Sequence, residues 1–270
     1  MAEAKVKVIE TALRMIKNKT ILVPIPDILM ITQETSKYII KRLAMIPVAY
    51  IEVPQLPPRM IAIGGAVFPQ LSIYASLDNP LFIVKIPSIF RKEEREALPA
   101  LSEALISWCE RNEFERLVIL DVSPASEEKL PSVRYAAEER LIKEMEKLGF
   151  KPISGMISTL ASSFLNQCIK SRIDGVLLEV ESKVYGKVAD VYQEYLLEGM
   201  KPEIYRKLAL AVKDFDQDAV KLAIEAVSKV SGVEIPLDKL DEHLEVVKES
   251  FKEFFTNVMR FFKGGGPFIA

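Results

Sequence analysis

Residues 117–122 read LVILDV. The run is almost wholly apolar, has the length of a strand, and does not alternate with polar residues. Such a run suits a strand buried on both faces, as in the middle of a parallel sheet. Helical spacing predicts a helix before it, from about Glu93 to Arg111, and another after it, near Arg134–Leu148. A strand near Lys151–Ile157, a helix over Leu160–Ser171, a second apolar strand at Val176–Val180 and a helix near Val188–Leu197 continue the pattern. Upstream, Thr20–Val23 is a short β-rich run closed by Pro24 and Pro26. A helix over Ile28–Leu43 follows it, with Asp27 placed as its N-cap. Strands alternating with helices imply a mainly parallel sheet covered on both faces.

Other segments adjust this frame. Val6, Ile9, Leu13 and Ile16 predict a first helix over 3–16. Val48–Val53, Met60–Ile63, Leu71–Tyr74 and Leu81–Ile86 are short apolar runs separated by proline or glycine. They read as strands, some paired in hairpins, that add antiparallel members to the sheet. Gly64–Gly65 falls at a turn position between them, not in a phosphate-binding loop. After Gly199 strand-like runs stop, and helices are predicted near 203–213, 216–230 and 237–262. The expected organisation is an α/β core over 1–199, a C-terminal helical region over 200–262, and a flexible tail over 263–270.

Composition narrows the functional classes. With 36 basic and 38 acidic residues there is no electrostatic footprint for nucleic acid or anionic lipid. No run reaches the length of a membrane span. The opening MAEAKVKVIE has no signal-peptide core, so the expected location is the cytoplasm. Cys109 and Cys168 lie in apolar helical patterns and read as buried thiols in a reducing compartment. Abundant Glu and Lys with few Asn and Gln fit a thermophilic source. His243 is the only histidine and is expected to face water. That leaves no histidine metal cluster and no Ser-His-Asp triad, so no metal or cofactor is implied. Trp108 falls in a helical stripe and is expected in the core.

Two features point to binding. On the last helix Leu237, Leu240, Leu244, Val247, Phe251, Phe254, Val258 and Phe261 recur at spacings of three and four. Such a seam needs a cover, either a partner chain, a symmetry mate or another part of the same chain. Beyond it, Gly264–Gly266 tether an apolar end, Pro267, Phe268, Ile269 and Ala270, with its free carboxylate. A flexible apolar terminus suits capture in a pocket on another protein. Two acidic patterns are weaker. Asp214, Asp216, Asp218 and Glu225 match part of a calcium loop, but Ala219 stands where glycine is required. Asp216 as a helix N-cap explains them without metal. Glu179 and Glu181 point the same way at a strand end, as a catalytic pair or as partners for Lys183 or Lys187.

The segment GFKPISGMISTLASSFLNQCIKSRIDGVLLEVESKVYGKVADVYQEYL, residues 149–195, resembles the proteasome assembly chaperone 2 family. Gly155, Leu177, Leu178, Glu179, Ser182 and Ala189 stand at family positions, and IPDILMITQETSKYIIKRL resembles the family's first strand-to-helix segment. The order of elements matches over about 18–245. The resemblance implies a three-layer αβα domain, nucleoside phosphorylase-like in fold but without that catalysis, plus the C-terminal helical extension. It also implies an ATP-independent assembly chaperone or scaffold, homo- or hetero-oligomeric with a paralogue, that binds proteasome core-particle α subunits through a C-terminus entering pockets on the α-ring, as in archaeal members. On that pattern Phe268 is the hydrophobic residue, Ile269 stands where tyrosine belongs, and Ala270 supplies the carboxylate. Leu244, Val247, Phe251, Phe254, Val258 and Phe261 would form the oligomer or partner helix. The competing readings are an enzyme acting on a nucleoside-like small molecule and a non-catalytic subunit of a hetero-oligomer.

Overall fold

Ile21, Leu22 and Val23 are all buried, yet Leu22 joins one hydrophobic cluster while Ile21 and Val23 join another. That alternation along a strand is what separates two packed faces. The computed structural model describes residues 7–10, 17–27, 29–52, 60–63, 66–69, 71–86, 97–125, 131–198, 201, 203–204, 206–207 and 215–264. Strand β2 (Lys19–Pro24) is followed by helix α1 (Ile31–Arg42), and β8 (Phe114–Pro124) by β9 (Val133–Ala137). Between α1 and β8 come β3 (Ile46–Glu52), β4 (Met60–Ile63), β5 (Ala66–Pro69), β6 (Ser72–Ala75), β7 (Leu81–Lys85) and α2 (Leu98–Arg111). After β9 come α3 (Ile142–Lys147), β10 (Lys151–Pro152), α4 (Thr159–Lys170), β11 (Asp174–Ser182), α5 (Lys183–Glu198), α6 (Gln217–Ser231) and α7 (Leu240–Gly264).

The main sheet has the order β1-β3-β6-β7-β2-β8-β11-β9-β10, with β1 at Lys7–Glu10. Strands β7, β2, β8 and β11 run parallel at its centre. Antiparallel pairs extend it through β6, β3 and β1 on one side and through β9 on the other. Val118, Leu120 and Leu178 face the cluster holding α1 and α6, while Leu117, Ile119 and Leu177 face the one holding α2 and α4. The result is the three-layer αβα arrangement that the sequence predicts, with a mixed sheet that is parallel at its centre and whose eight neighbouring strand pairs divide into four parallel and four antiparallel, and α6 and α7 follow it at the C-terminal end. Strands β4 and β5 pair with each other, Ile63 opposite Ala66, outside the main sheet. The Gly64–Gly65 turn expected between them lies outside the described residues.

The structure corrects several elements. Lys7–Glu10 is not helical but an edge strand, with Val8 opposite Ile51. Pairing with β3 overrides the local helical spacing there, and the rest of 3–16 beyond these four residues lies outside the described set. The helix expected from Arg134 is β9 up to Ala137, in register with β11 through Val176–Ala137 and Glu179–Arg134. Glu138 is extended, a short 3₁₀ turn spans Glu139–Leu141, and the α-helix covers only Ile142–Lys147. The strand expected over Lys151–Ile157 shrinks to Lys151–Pro152. The start of α1 shifts to Ile31 because Met30 takes a left-handed backbone, φ 61. Of the helix expected over 203–213, residues 203–204 and 206–207 are described and helical.

Candidate functional sites at the strand ends and on the last helix

Ligands of open α/β sheets sit beyond the carboxyl ends of the parallel strands. There the face under α2 and α4 turns polar. On β8 the inward row runs Leu117, Ile119, Asp121, Ser123, and on β11 it runs Leu177, Glu179, Glu181. Register sets Asp121 directly beside Glu179 and Glu179 beside Arg134. The Arg134 guanidinium donates to Glu179 at 2.5 Å and to Ser123 Oγ at 2.9 Å, and its Nε lies 3.6 Å from Glu181. Ser132 donates to Glu181 from its amide at 3.1 Å and its hydroxyl at 2.7 Å. The partner of the Glu179–Glu181 pair is therefore Arg134, reached across the β9–β11 register, and not Lys183 or Lys187.

Asp121 accepts from Ser158 Oγ at 2.7 Å and from the Val122 amide at 2.8 Å. Ser158 also caps α4, accepting from the Ala161 amide. Burial pushes the Asp121 carboxyl up to about 6, against these hydrogen bonds and with help from the charges of Glu179 and Asp27. Asp27 lies just past β2 and accepts from the amides of Leu29, Ile31 and Thr32 and from Thr32 Oγ1, at 2.9–3.0 Å. The N-cap position is Met30 and not Asp27 as the sequence predicts, but the Asp27 carboxylate reaches the first amides of α1 from outside the helix. In doing so it fills the amide-lined helix start at which a phosphate would dock in a nucleotide-binding α/β protein. Burial raises its carboxyl too. Four carboxyl groups thus meet at the strand ends, and each is already held by side chains or amides of this chain. That arrangement repels phosphate.

The calcium-like acids resolve differently. Asp216 is buried, caps α6 through the Ala219 amide at 3.1 Å, and accepts from Ser182 Oγ at 2.6 Å. Ser182 in turn accepts from the Tyr185 amide at the start of α5. The pair ties two helix starts to the end of β11, so Asp216 is the N-cap the sequence predicts. Asp214 lies outside the described residues. Among the described residues, no three His, Cys, Asp or Glu side chains form a group that could hold a metal ion.

On α7, Leu240, Leu244 and Phe251 are buried and Val247 partly so, as is Leu237 just before the helix, all against the cluster on the α1 face. The Phe251 ring lies 5.5 Å from that of Phe215. As far as Phe251, then, the chain covers its own seam. The helix continues to Gly264, through the backbone of Phe254, Val258 and Phe261, whose side chains lie outside the described set. Phe268, Ile269 and Ala270 lie outside the described residues altogether. His243 is not turned to water. Its ring packs 5.3 Å from Tyr38 on α1.

Comparison with known proteins bears on what these surfaces do. The model of the PAC2 family matches residues 21–254, most of the chain. The chain belongs to the PAC2 family. A protein of unknown function from Thermoplasma acidophilum is similar in structure, TM-score 0.68 at 21% identity, over 93% of this chain and 89% of that one. Pyrococcus furiosus PbaA, described as an archaeal homolog of proteasome-assembly chaperone, gives 0.70 at 16% over 94% and 98%. Pyrococcus furiosus PbaB, described as an archaeal proteasome activator, gives 0.66 at 16% over 93% and 98%. At these identities the likeness speaks for the fold. No curated protein matches the sequence. The family match includes the strand-end acids and the first half of α7, and it stops before the tail. Among the described residues, no helix is long and apolar enough to cross a membrane.

Sequence reasoning missed Arg134, Ser123 and Ser158 as members of the strand-end cluster. Asp121 carries a weak signal, an acid inside an otherwise apolar strand. Arg134 carries none, because its acidic partners lie 45 and 47 residues away and only the sheet register joins them.

Proposed function

We propose that this chain is a non-catalytic, ATP-independent assembly chaperone or scaffold that engages proteasome α subunits through its C-terminal residues. The observation that carries this reading is membership of the PAC2 family over residues 21–254. The likeness in fold to PbaA, an archaeal homolog of proteasome-assembly chaperone, and to PbaB, an archaeal proteasome activator, supports it. So does the strand-end site, where Asp27, Asp121, Glu179 and Glu181 all have partners within the chain and leave little for a phosphorylated substrate. Phe268, Ile269 and Ala270 are the partner-binding end in this proposal. Phe254, Val258 and Phe261 repeat the seam spacing further along the chain and, in this proposal, meet a second copy or a paralogue. One tail binds weakly, since ordering the glycine tether opposes the contacts, and several tails on one oligomer raise the apparent affinity by about 10²–10⁴.

The test is recovery of proteasome core particle on immobilised protein, with the full chain and with residues 264–270 removed. Binding by the full chain and loss on truncation is the expected result. Equal recovery removes the tail from the mechanism, and no recovery by either rejects the proteasome reading.

One observation favours a second reading, an enzyme acting on a small molecule at the strand ends. A buried carboxyl with its pKa raised to about 6, Asp121, is the kind of group that acid–base catalysis uses. Thermal shift across a panel of nucleosides distinguishes the two. A stabilising ligand whose effect vanishes in Glu179→Gln supports the enzyme, and a flat response supports the scaffold.

A further inference from the structure

His243, the only histidine in the chain, sits one turn into α7. Its ring is tilted 55° against Tyr38 on α1. Its Nε2 is buried with no hydrogen-bond partner among the described residues, 3.7 Å from Glu34 Oε2. That oxygen's carboxylate is already engaged, since Lys37 donates to Glu34 Oε1 at 2.5 Å. The rest of the α7 root is fastened to the same helix. Tyr38 donates to the Pro236 carbonyl at 2.6 Å, Arg42 donates to it at 3.3 Å, and Arg42 also pairs with Asp238. Leu240 and Leu244 are buried on either side of the histidine.

We propose that His243 is a proton-operated latch, whose neutral ring lets the root of α7 lie on α1 and whose protonation loosens that seam. The neutral ring fits a half-buried place against the Tyr38 ring. An imidazolium there needs water or an uncommitted anion, and the nearest anion is shared with Lys37. Four titratable groups of α1 face or act on the ring: Glu34, Lys37, Tyr38 and Lys41. Glu34 favours the charge, and Lys41 and Lys37 oppose it. Burial is the largest influence and pushes the imidazole below its ordinary value. The sign follows from linkage. A released α7 holds the proton more tightly than a docked one, so docking is strongest above about pH 7.5 and weakens as pH falls through 6.5 toward the docked value.

The root controls the rest of the element. At about 1.5 Å per residue α7 is about 37 Å long, and a tilt of about 10° at its root moves its far end by roughly 6 Å. Whatever the tail engages, the latch governs where α7 points.

The experiment uses the full chain. A single histidine gives a single imidazole resonance to titrate by NMR, and amide hydrogen exchange of α7 is followed from pH 7.5 to 5.0 after correction for the intrinsic rate. The expected result is titration below 6.5, with α7 opening more often over the same interval. The rise is about tenfold for each unit separating the docked and free values. His243→Phe keeps the ring contact with Tyr38, removes the proton site, and is expected to hold α7 protection flat. Asp121 titrates in the same range but sits at the strand ends and is present in both proteins, so its effect cancels. Titration at or above 6.5, α7 protection that ignores pH, or the same loss in His243→Phe each overturns the latch.

Discussion

Replacing Asp121 by Asn tests whether the strand-end acids hold the fold together or strain it. Asp121 is buried, and its carboxyl is raised from 3.8 to about 6. The folded protein therefore holds this proton more tightly than the unfolded chain. Its stabilising effect is complete below pH 3.8, erodes as pH rises through 6, and is gone above. A gap of about two pH units at about 1.4 kcal/mol each makes the ionised form roughly 3 kcal/mol less favourable to folding than the protonated one. Asn cannot ionise, its carbonyl can accept from the Val122 amide, and its NH₂ can donate to Ser158 Oγ. Asp121→Asn is thus expected to match the parent near pH 4 and to exceed it by about 2–3 kcal/mol at pH 8. Trp108, the single tryptophan and fully buried, supplies the fluorescence signal for urea unfolding at pH 4.5, 6 and 8. Asp27 is also raised; it is present in both proteins and enters the difference only through its charge on Asp121, one of the smaller influences there. A gap that stays constant with pH, or a variant weaker than the parent at pH 8, refutes the assignment of Asp121 as a destabilising buried charge.

Three further substitutions probe the packing. Gly175→Ala brings a Cβ to 2.7 Å from Cys168 Cβ and 3.1 Å from its Sγ, so α4 must shift, at a cost of about 1–3 kcal/mol visible as a lower melting temperature. An unchanged melting temperature would mean that α4 yields freely. Asp216→Ala removes the α6 cap and leaves Ser182 without its acceptor, and a loss of about 2–3 kcal/mol in chemical unfolding is expected, less for Asp216→Asn. Leu244→Ala should destabilise by about 2–4 kcal/mol at every protein concentration, because its cover comes from the same chain. A loss that deepens on dilution would instead locate Leu244 at a contact between chains.

What the sequence discloses about this fold follows the strength of burial. LVILDV and Val176–Val180 are apolar because both faces of the sheet are covered, and that requirement is written in consecutive residues. Asp216 is legible for a local reason, since a cap acts within three residues. Val133–Ala137 is not, because RYAAEERLIKEM is a good helix former along its whole length. It becomes a strand only where β11 offers open backbone groups 40 residues later. Lys7–Glu10 is a similar case, settled by Ile51 and its neighbours on β3. The position of His243 depends on Tyr38, 205 residues earlier, and nothing in the heptad spacing states which helix lies opposite. The strand-end cluster mixes both kinds: Glu179 and Glu181 could be picked out as a pair, while their cation could be found only once β9 was in register.

The two cysteines have a practical consequence. Burial pushes the Cys168 thiol up to about 12 and the Cys109 thiol well above its ordinary value, and neither is in a disulfide. Thiolate is the reactive form, so at neutral pH both native sulfurs should be almost silent to maleimides. A cysteine placed at Val246, 64% exposed on α7, would then carry a dye or spin label alone. The parent chain is in effect already cysteine-light, and distances from its last helix can be followed without first rebuilding the core.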